Sequence, residues 1–179
     1  MIKDLDILIT GQINQLAISS KIISNFFKVI THTSSGKAYP FYAILLPVIV
    51  NEGDLIVKTG VVAFAFQVPL YILSKNITKR NRPAHNHIIK EIIKPPDKYS
   101  FPSGHCASSM LFTLIINQYI PEITIYFLIW AIIIFISRMV LGLHYLSDVI
   151  GGIFLGVLSF WISNQIAKLI IFPLEILNP

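Results

Sequence analysis

Five long stretches after residue 37 carry no charged residue: 38–51, 59–74, 99–121, 123–137 and 149–167. A helix crossing a bilayer needs about 20 mostly apolar residues, with about 17 at the lower end. Backbone N–H and C=O groups inside lipid must pair with one another, so apolar runs of this kind fold as helices. Where a run falls short, a flanking Lys58 or Lys168 extends it by reaching back to the head groups. The spacing predicts spans at about 38–51 (a short one), 55–74, 103–120, 122–141 and 147–171. Composition agrees, with 54% of the 179 residues apolar and 13% charged, about half the charged share of soluble domains. The expected fold class is therefore all-α, a multi-pass transmembrane helical bundle. It is read as a single domain over 1–179 with its transmembrane core at 38–171. This composition excludes a disordered chain and argues against a water-soluble monomer. The single cysteine, Cys106, excludes an internal disulfide and a Cys-rich metal site.

The first thirty residues differ. Ile22, Ile23, Phe26, Phe27 and Ile30 follow helical spacing, with Lys21, Asn25 and Lys28 between them. That pattern predicts an amphipathic helix at the membrane interface within 1–31. A sixth span through this segment is the alternative. Asp4 and Asp6 argue against a signal peptide, and no small-residue cleavage site follows.

Charge is concentrated in one place. Between Lys75 and Ser100 lie seven bases and two acids, a net +5 that equals the formal charge of the whole chain. One basic loop with no second basic face argues for a phosphate-bearing membrane ligand and against nucleic acid. With five spans after residue 38, this loop (75–102) and the segment 138–148 fall on the same side of the membrane.

Ionisable residues at membrane depth are costly and mark function. Three groups stand out: Lys75 with Arg82-Pro83, then Pro102-Ser103-Gly104-His105, then Ser137-Arg138 followed by His144 and Asp148. Taken singly, the first reads as a basic flank and the second as a helix start, whereas Arg138, His144 and Asp148 at membrane depth need partners. Together they fit one task. Lys75, Arg82 and Arg138 supply positive charge, arginine as a planar fork for phosphate oxygens and lysine as a point charge. Ser103 and Gly104 open a helix, whose N-terminal N–H groups favour an anion. His144 and Asp148 are four apart and share a helical face, so the carboxylate can fix the tautomer of a nucleophilic imidazole. His105, if protonated, can serve a departing alkoxide as acid. His32, His85 and His87 read as interfacial or solvated loop residues.

These eleven positions, in this order, resemble the signature of the type 2 phosphatidic acid phosphatase (PAP2) superfamily, over about residues 55–160. Leu146 stands where many relatives have proline, and Cys106 where a small residue is usual. The resemblance implies hydrolysis of a phosphomonoester, or of a terminal phosphate on a pyrophosphate, through a phosphohistidine, without metal or cofactor. It implies His144 as nucleophile, Asp148 as its support and His105 as acid. Lys75, Arg82, Ser103, Gly104 and Arg138 would hold the phosphoryl oxygens. It also implies a lipid phosphate substrate: phosphatidic acid, phosphatidylglycerophosphate, undecaprenyl pyrophosphate or a lipid A phosphate. The expected partners are that substrate and membrane lipids, with no metal and no nucleic acid; the sequence sets no oligomeric state. The expected location is the bacterial inner membrane. The basic loop argues for a cytoplasmic site, whereas bacterial relatives argue for the outer face, which is the reading taken. A transporter or channel is the rival class. Phosphoryl transfer to another acceptor and vanadate-dependent haloperoxidase chemistry are rivals that use the same pocket.

Overall fold

The computed structural model describes residues 2–85 and 88–176, with side chains from Lys3 to Ile166. Among these residues the structure is all-helical: α1 (Ile2–Ser19), α2 (Lys21–His32), α3 (Ala38–Ile49), α4 (Gly53–Thr78), α5 (Gly104–Tyr119), α6 (Thr124–Val140) and α7 (Leu146–Ile176). Single 3-10 turns follow α4 (Pro83–His85) and precede α6 (Pro121–Ile123).

The helices from α3 onward match the spans read from the sequence to within a few residues. Segments Gly53–His85, Pro121–Val140 and Leu146–Ile166 are long and apolar enough to cross a membrane. At 12 and 16 residues, α3 and α5 rise only about 18 and 24 Å, at 1.5 Å per residue. The outward faces of the long helices are greasy at helical spacing: Ile125, Ile129, Ile132 and Ile136 on α6, and Ile150, Phe154, Val157 and Trp161 on α7 are all exposed. In a soluble domain such stripes would be covered. Here they face lipid.

At the centre lies α5, packed by α4, α6 and α7. Leu111, Phe112, Ile115 and Ile116 of α5 form the main core with Ile56 and Ala63 of α4. Small residues let α7 approach closely. A Cβ on Gly152 would fall 2.4 Å from the Ser103 carbonyl oxygen, and one on Gly156 would fall 2.5 Å from that of Ala107. Only glycine permits this backbone contact, which holds the start of α5 against the start of α7.

The N-terminal segment departs from expectation. Instead of one interfacial helix there are two, broken at Ser20, whose Oγ accepts from the Ile23 N–H and caps α2. Amphipathic character is present, but the polar side of α1 faces protein. Asp6, Thr10 and Asn14, spaced by four, are buried, while Leu5, Leu8 and Leu16 are exposed.

Candidate active site

Local backbone chemistry sets each functional group in place. Lys75 lies in the last turn of α4, which Lys79 closes in the left-handed conformation (φ 44°). The chain then doubles back, carrying Arg80 and Arg82 over the end of the bundle. Ser103 takes the extended conformation of a helix cap, and α5 opens at Gly104. There a Cβ would meet the Tyr71 ring at 2.8 Å. After α6, Gly142 adopts φ +70°, with Lys90 O only 2.3 Å from where a Cβ would be. This turn lets the N–H groups of Leu143 and His144 both donate to Arg138 O, at 3.0 and 3.2 Å. At the start of α7, Asp148 Oδ2 accepts from the Tyr145 N–H at 2.8 Å, a reach back that closes the helix start.

The result is a cavity of about 290 Å³ whose wall includes Arg82, Asp97, Gly104, His105, Arg138 and His144. Lys75, Ser103 and Asp148 are buried around it. The Ser103 N–H bonds the Asp148 carbonyl at 3.0 Å, and the Lys75 ammonium binds Asp97 at 2.8 Å. All eight residues singled out from the sequence thus converge at one end of the bundle. His32 and His85 are exposed, and His87 lies outside the described residues.

The His144 imidazole is buried, and one contact bears on its tautomer. Arg82 Nη1 lies 3.4 Å from His144 Nε2. Arginine only donates, so this contact favours the tautomer with the lone pair on Nε2 and the proton on Nδ1, which has no hydrogen-bond partner among the described residues. Burial, then the charges of Arg138, Arg82 and Lys75, hold its proton affinity well below the usual histidine range, so the ring is neutral at physiological pH. Nδ1 faces Asp148 Oδ2 at 3.7 Å, beyond hydrogen-bond reach. Here the structure differs from the direct His–Asp bond expected from the spacing. Asp148 has other donors, with Arg80 Nη1 on Oδ1 at 2.7 Å and the Tyr145 N–H on Oδ2.

The cations differ in their freedom. Arg138 is fully buried, with Nη1 donating to Thr31 Oγ1 at 2.6 Å, and its Nε has no partner among the described residues. A buried unpaired donor of this kind is costly unless an anion meets it. Lys75 and Arg82, expected to stand ready for phosphate, are instead both bound by Asp97 Oδ1, at 2.8 and 2.7 Å. Asp97 Oδ2 accepts from Tyr71 Oη at 2.7 Å, and Lys75 also reaches the Tyr99 carbonyl. Burial opposes the Asp97 charge, but the Lys75 and Tyr71 bonds and the charges of Lys75 and Arg82 hold its carboxyl down at about 2. The arrangement is a cationic recess with a carboxylate across its mouth.

Sequence reasoning missed Asp97, Arg80, Asp6 and Thr31. Asp97 was legible in one respect, as an acid after Pro95-Pro96 inside a basic segment. Asp6 shares with Thr10 and Asn14 a four-residue spacing on an otherwise greasy helix, which marks a buried polar face. Nothing in the sequence pairs Thr31 with Arg138. Among the described residues, no group of three or more His, Cys, Asp or Glu side chains could hold a metal ion.

A second, apolar cavity of about 360 Å³ runs between α3 and α4, lined by Tyr39, Tyr42, Leu46, Val61, Phe64 and Phe112. It shares Gly36, Val68 and Ser108 with the polar one.

Two solved structures share this architecture. One is LpxE from Aquifex aeolicus, with a TM-score of 0.77 and 23% identity, covering 90% of this chain and 95% of that one. The other is a transmembrane PAP2-type phosphatidylglycerolphosphate phosphatase from Bacillus subtilis, with a TM-score of 0.74 and 22% identity, covering 94% of this chain and 87% of that one. At these identities the likeness shows the fold. Independently, the family model of the PAP2 superfamily matches residues 56–171, the part of the chain that carries every group of the signature. This chain is a membrane protein that belongs to the PAP2 superfamily.

Proposed function

We propose that this chain is an integral-membrane lipid phosphate phosphatase acting through a phosphohistidine, and that residues 1–179 work as a single domain. The observation that carries the reading is the buried His144, whose Nε2 lies 3.4 Å from Arg82 Nη1 in a cavity shared with His105 and Arg138. In the first step Nε2 attacks phosphorus and the bond from phosphorus to the leaving oxygen breaks. His105 delivers a proton to that oxygen. In the second step water attacks phosphorus, His105 takes the proton from the water, and the phosphorus–nitrogen bond breaks to release phosphate. Phosphoryl transfer of this kind rests on positioning and charge stabilisation. The phosphoryl oxygens are met by Arg138 Nε, Arg82, Ser103 and the Gly104 N–H, with Lys75 completing the cradle once the anion replaces the Asp97 carboxylate. These groups supply the positive charge without a metal.

The adjoining apolar cavity supports a lipid over a soluble ester, because a tail leaving the cradle passes Gly36, Val68 and Ser108 into a greasy channel. Phosphatidic acid, phosphatidylglycerophosphate, undecaprenyl pyrophosphate and lipid A phosphates all meet that description. By resemblance to bacterial relatives, the site is assigned to the outer face of the inner membrane. The test is phosphate release from a panel of these lipids in detergent with EDTA present. We expect turnover of at least one lipid and near-complete loss in His144→Ala. Activity that survives in His144→Ala removes the proposed nucleophile.

A further inference from the structure

The family match begins at residue 56, yet the catalytic end of the bundle is braced from outside that region. Three buried polar residues of α1 meet it in succession. Asp6 Oδ1 accepts from the Ser147 N–H at 2.9 Å. Thr10 Oγ1 accepts from the Leu146 N–H at 3.3 Å. Asn14 Nδ2 donates to Val140 O at 2.8 Å and to Lys90 O at 3.0 Å. Of the three, Asp6 alone is joined to the catalytic machinery by charge. Arg80 Nη2 donates to Asp6 Oδ2 and Arg80 Nη1 to Asp148 Oδ1, both at 2.7 Å. The guanidinium carbon lies over the Tyr145 ring, 4.4 Å from its centre, and Nη1 also reaches Ser147 Oγ at 2.6 Å.

We propose that Asp6 and Arg80 are positioning residues for the reaction, acting through Asp148 on His144. The inference rests on the phosphatase reading above and deepens it. Arg80 fixes the rotamer of Asp148, turning Oδ2 toward Nδ1 of His144. Left with Asp148 alone, however, Arg80 would cancel its charge. Asp6 takes the second arm of the guanidinium, so two carboxylates share one cation and the trio keeps one net negative charge. Burial disfavours the charge on Asp6, but the bonds from Ser147 and Arg80 outweigh it and hold the carboxyl below its ordinary range. The retained charge is what an imidazole needs as its nitrogen becomes bonded and positive. The N-terminal helix is therefore part of the catalytic apparatus as well as a brace.

The test compares two anions bound to purified full-length protein in detergent, read by calorimetry. Orthovanadate can accept Nε2 as a fifth ligand, forming a nitrogen–vanadium bond and losing no oxygen. Inorganic phosphate only fills the cradle. Asp6→Asn keeps an oxygen for Ser147 and removes the charge. It is expected to weaken vanadate binding about tenfold, the scale of one unit charge acting across a protein interior, and to leave phosphate binding within about twofold. Thr10→Val, which loosens the same helix without touching Arg80, is expected to leave the vanadate-to-phosphate ratio unchanged. Should Asp6→Asn not fold, Arg80→Lys is held to the same ratio, since one ammonium cannot span both carboxylates. A ratio unmoved by the charge-removing variant, or moved equally by Thr10→Val, overturns the proposal and leaves α1 a structural brace. Wild-type protein that binds neither anion removes the phosphatase reading, and this inference with it.

Discussion

Asp97→Asn gives opposite signs for two quantities that usually move together. In the structure, Asp97 Oδ1 is shared by Lys75 and Arg82, whose side chains are only 7% and 5% exposed. Removing the carboxylate charge leaves two buried cations without their counter-ion. A unit charge pair at 4 Å is worth about 4 kcal/mol at an effective dielectric constant of 20. With the Asp97 side chain 32% exposed, solvent screening reduces this to about 2 kcal/mol, within the range for hydrogen bonds to charged groups. The unliganded protein is therefore expected to melt several degrees lower. On the proposed function the same carboxylate stands where phosphoryl oxygens bind, so its loss removes a tethered competitor. Vanadate should then inhibit Asp97→Asn about tenfold more tightly than wild type, 1.4 kcal/mol being a factor of ten. Saturating vanadate should restore much of the lost melting temperature by linkage. The pH sign is also set. A carboxyl held at about 2 remains charged throughout any neutral assay. Its stabilising contribution is lost only as pH falls from the ordinary carboxylate range through about 2. The assays are thermal melts and vanadate inhibition of phosphate release on both proteins. Weaker vanadate inhibition in the variant would refute the reasoning, since Asp97 would then be shown to support the two cations for substrate and not to occupy their place.

Three further outcomes are expected. The neutral His144 predicts that kcat/KM does not decline as pH falls through 6.5, the ordinary histidine value, whereas an acid-side loss centred at or above that pH would contradict a buried neutral nucleophile. In the same range the folded state refuses a proton that the unfolded state accepts, so stability should decline as pH drops below about 6.5 in melts across pH. Orientation can be read with His85→Cys, since His85 is exposed on the active-site loop and the native Cys106 is buried. A membrane-impermeant thiol reagent should label intact spheroplasts of this variant, and labelling only after lysis would place the site on the cytoplasmic face.

The spans were legible because bilayer crossing leaves a one-dimensional trace. Charge-free runs of a set length locate α4, α6 and α7, and the runs at 38–51 and 99–121 locate α3 and α5. The eight candidate site residues were legible for a related reason. A guanidinium, an ammonium, imidazoles and a carboxylate at the edge of hydrocarbon have few explanations other than chemistry. The N-terminal segment was half legible. Ile22, Phe26 and Phe27 announce amphipathic character, but the sequence does not say whether water or protein meets the polar side.

By itself, then, the sequence determined that this chain spans a membrane as helices and gathers a set of cationic and imidazole side chains at one end, because hydropathy and ionisable side chains act through composition and order along the chain. Only the tertiary structure decided which charges pair. Asp97 lies across Lys75 and Arg82, Arg80 divides itself between Asp6 and Asp148, and Thr31 holds Arg138. Those pairings join residues as many as 142 positions apart, as with Asp6 and Asp148 through Arg80. Their energies depend on separations of a few ångströms and on exclusion of water, quantities that exist only once the helices have packed.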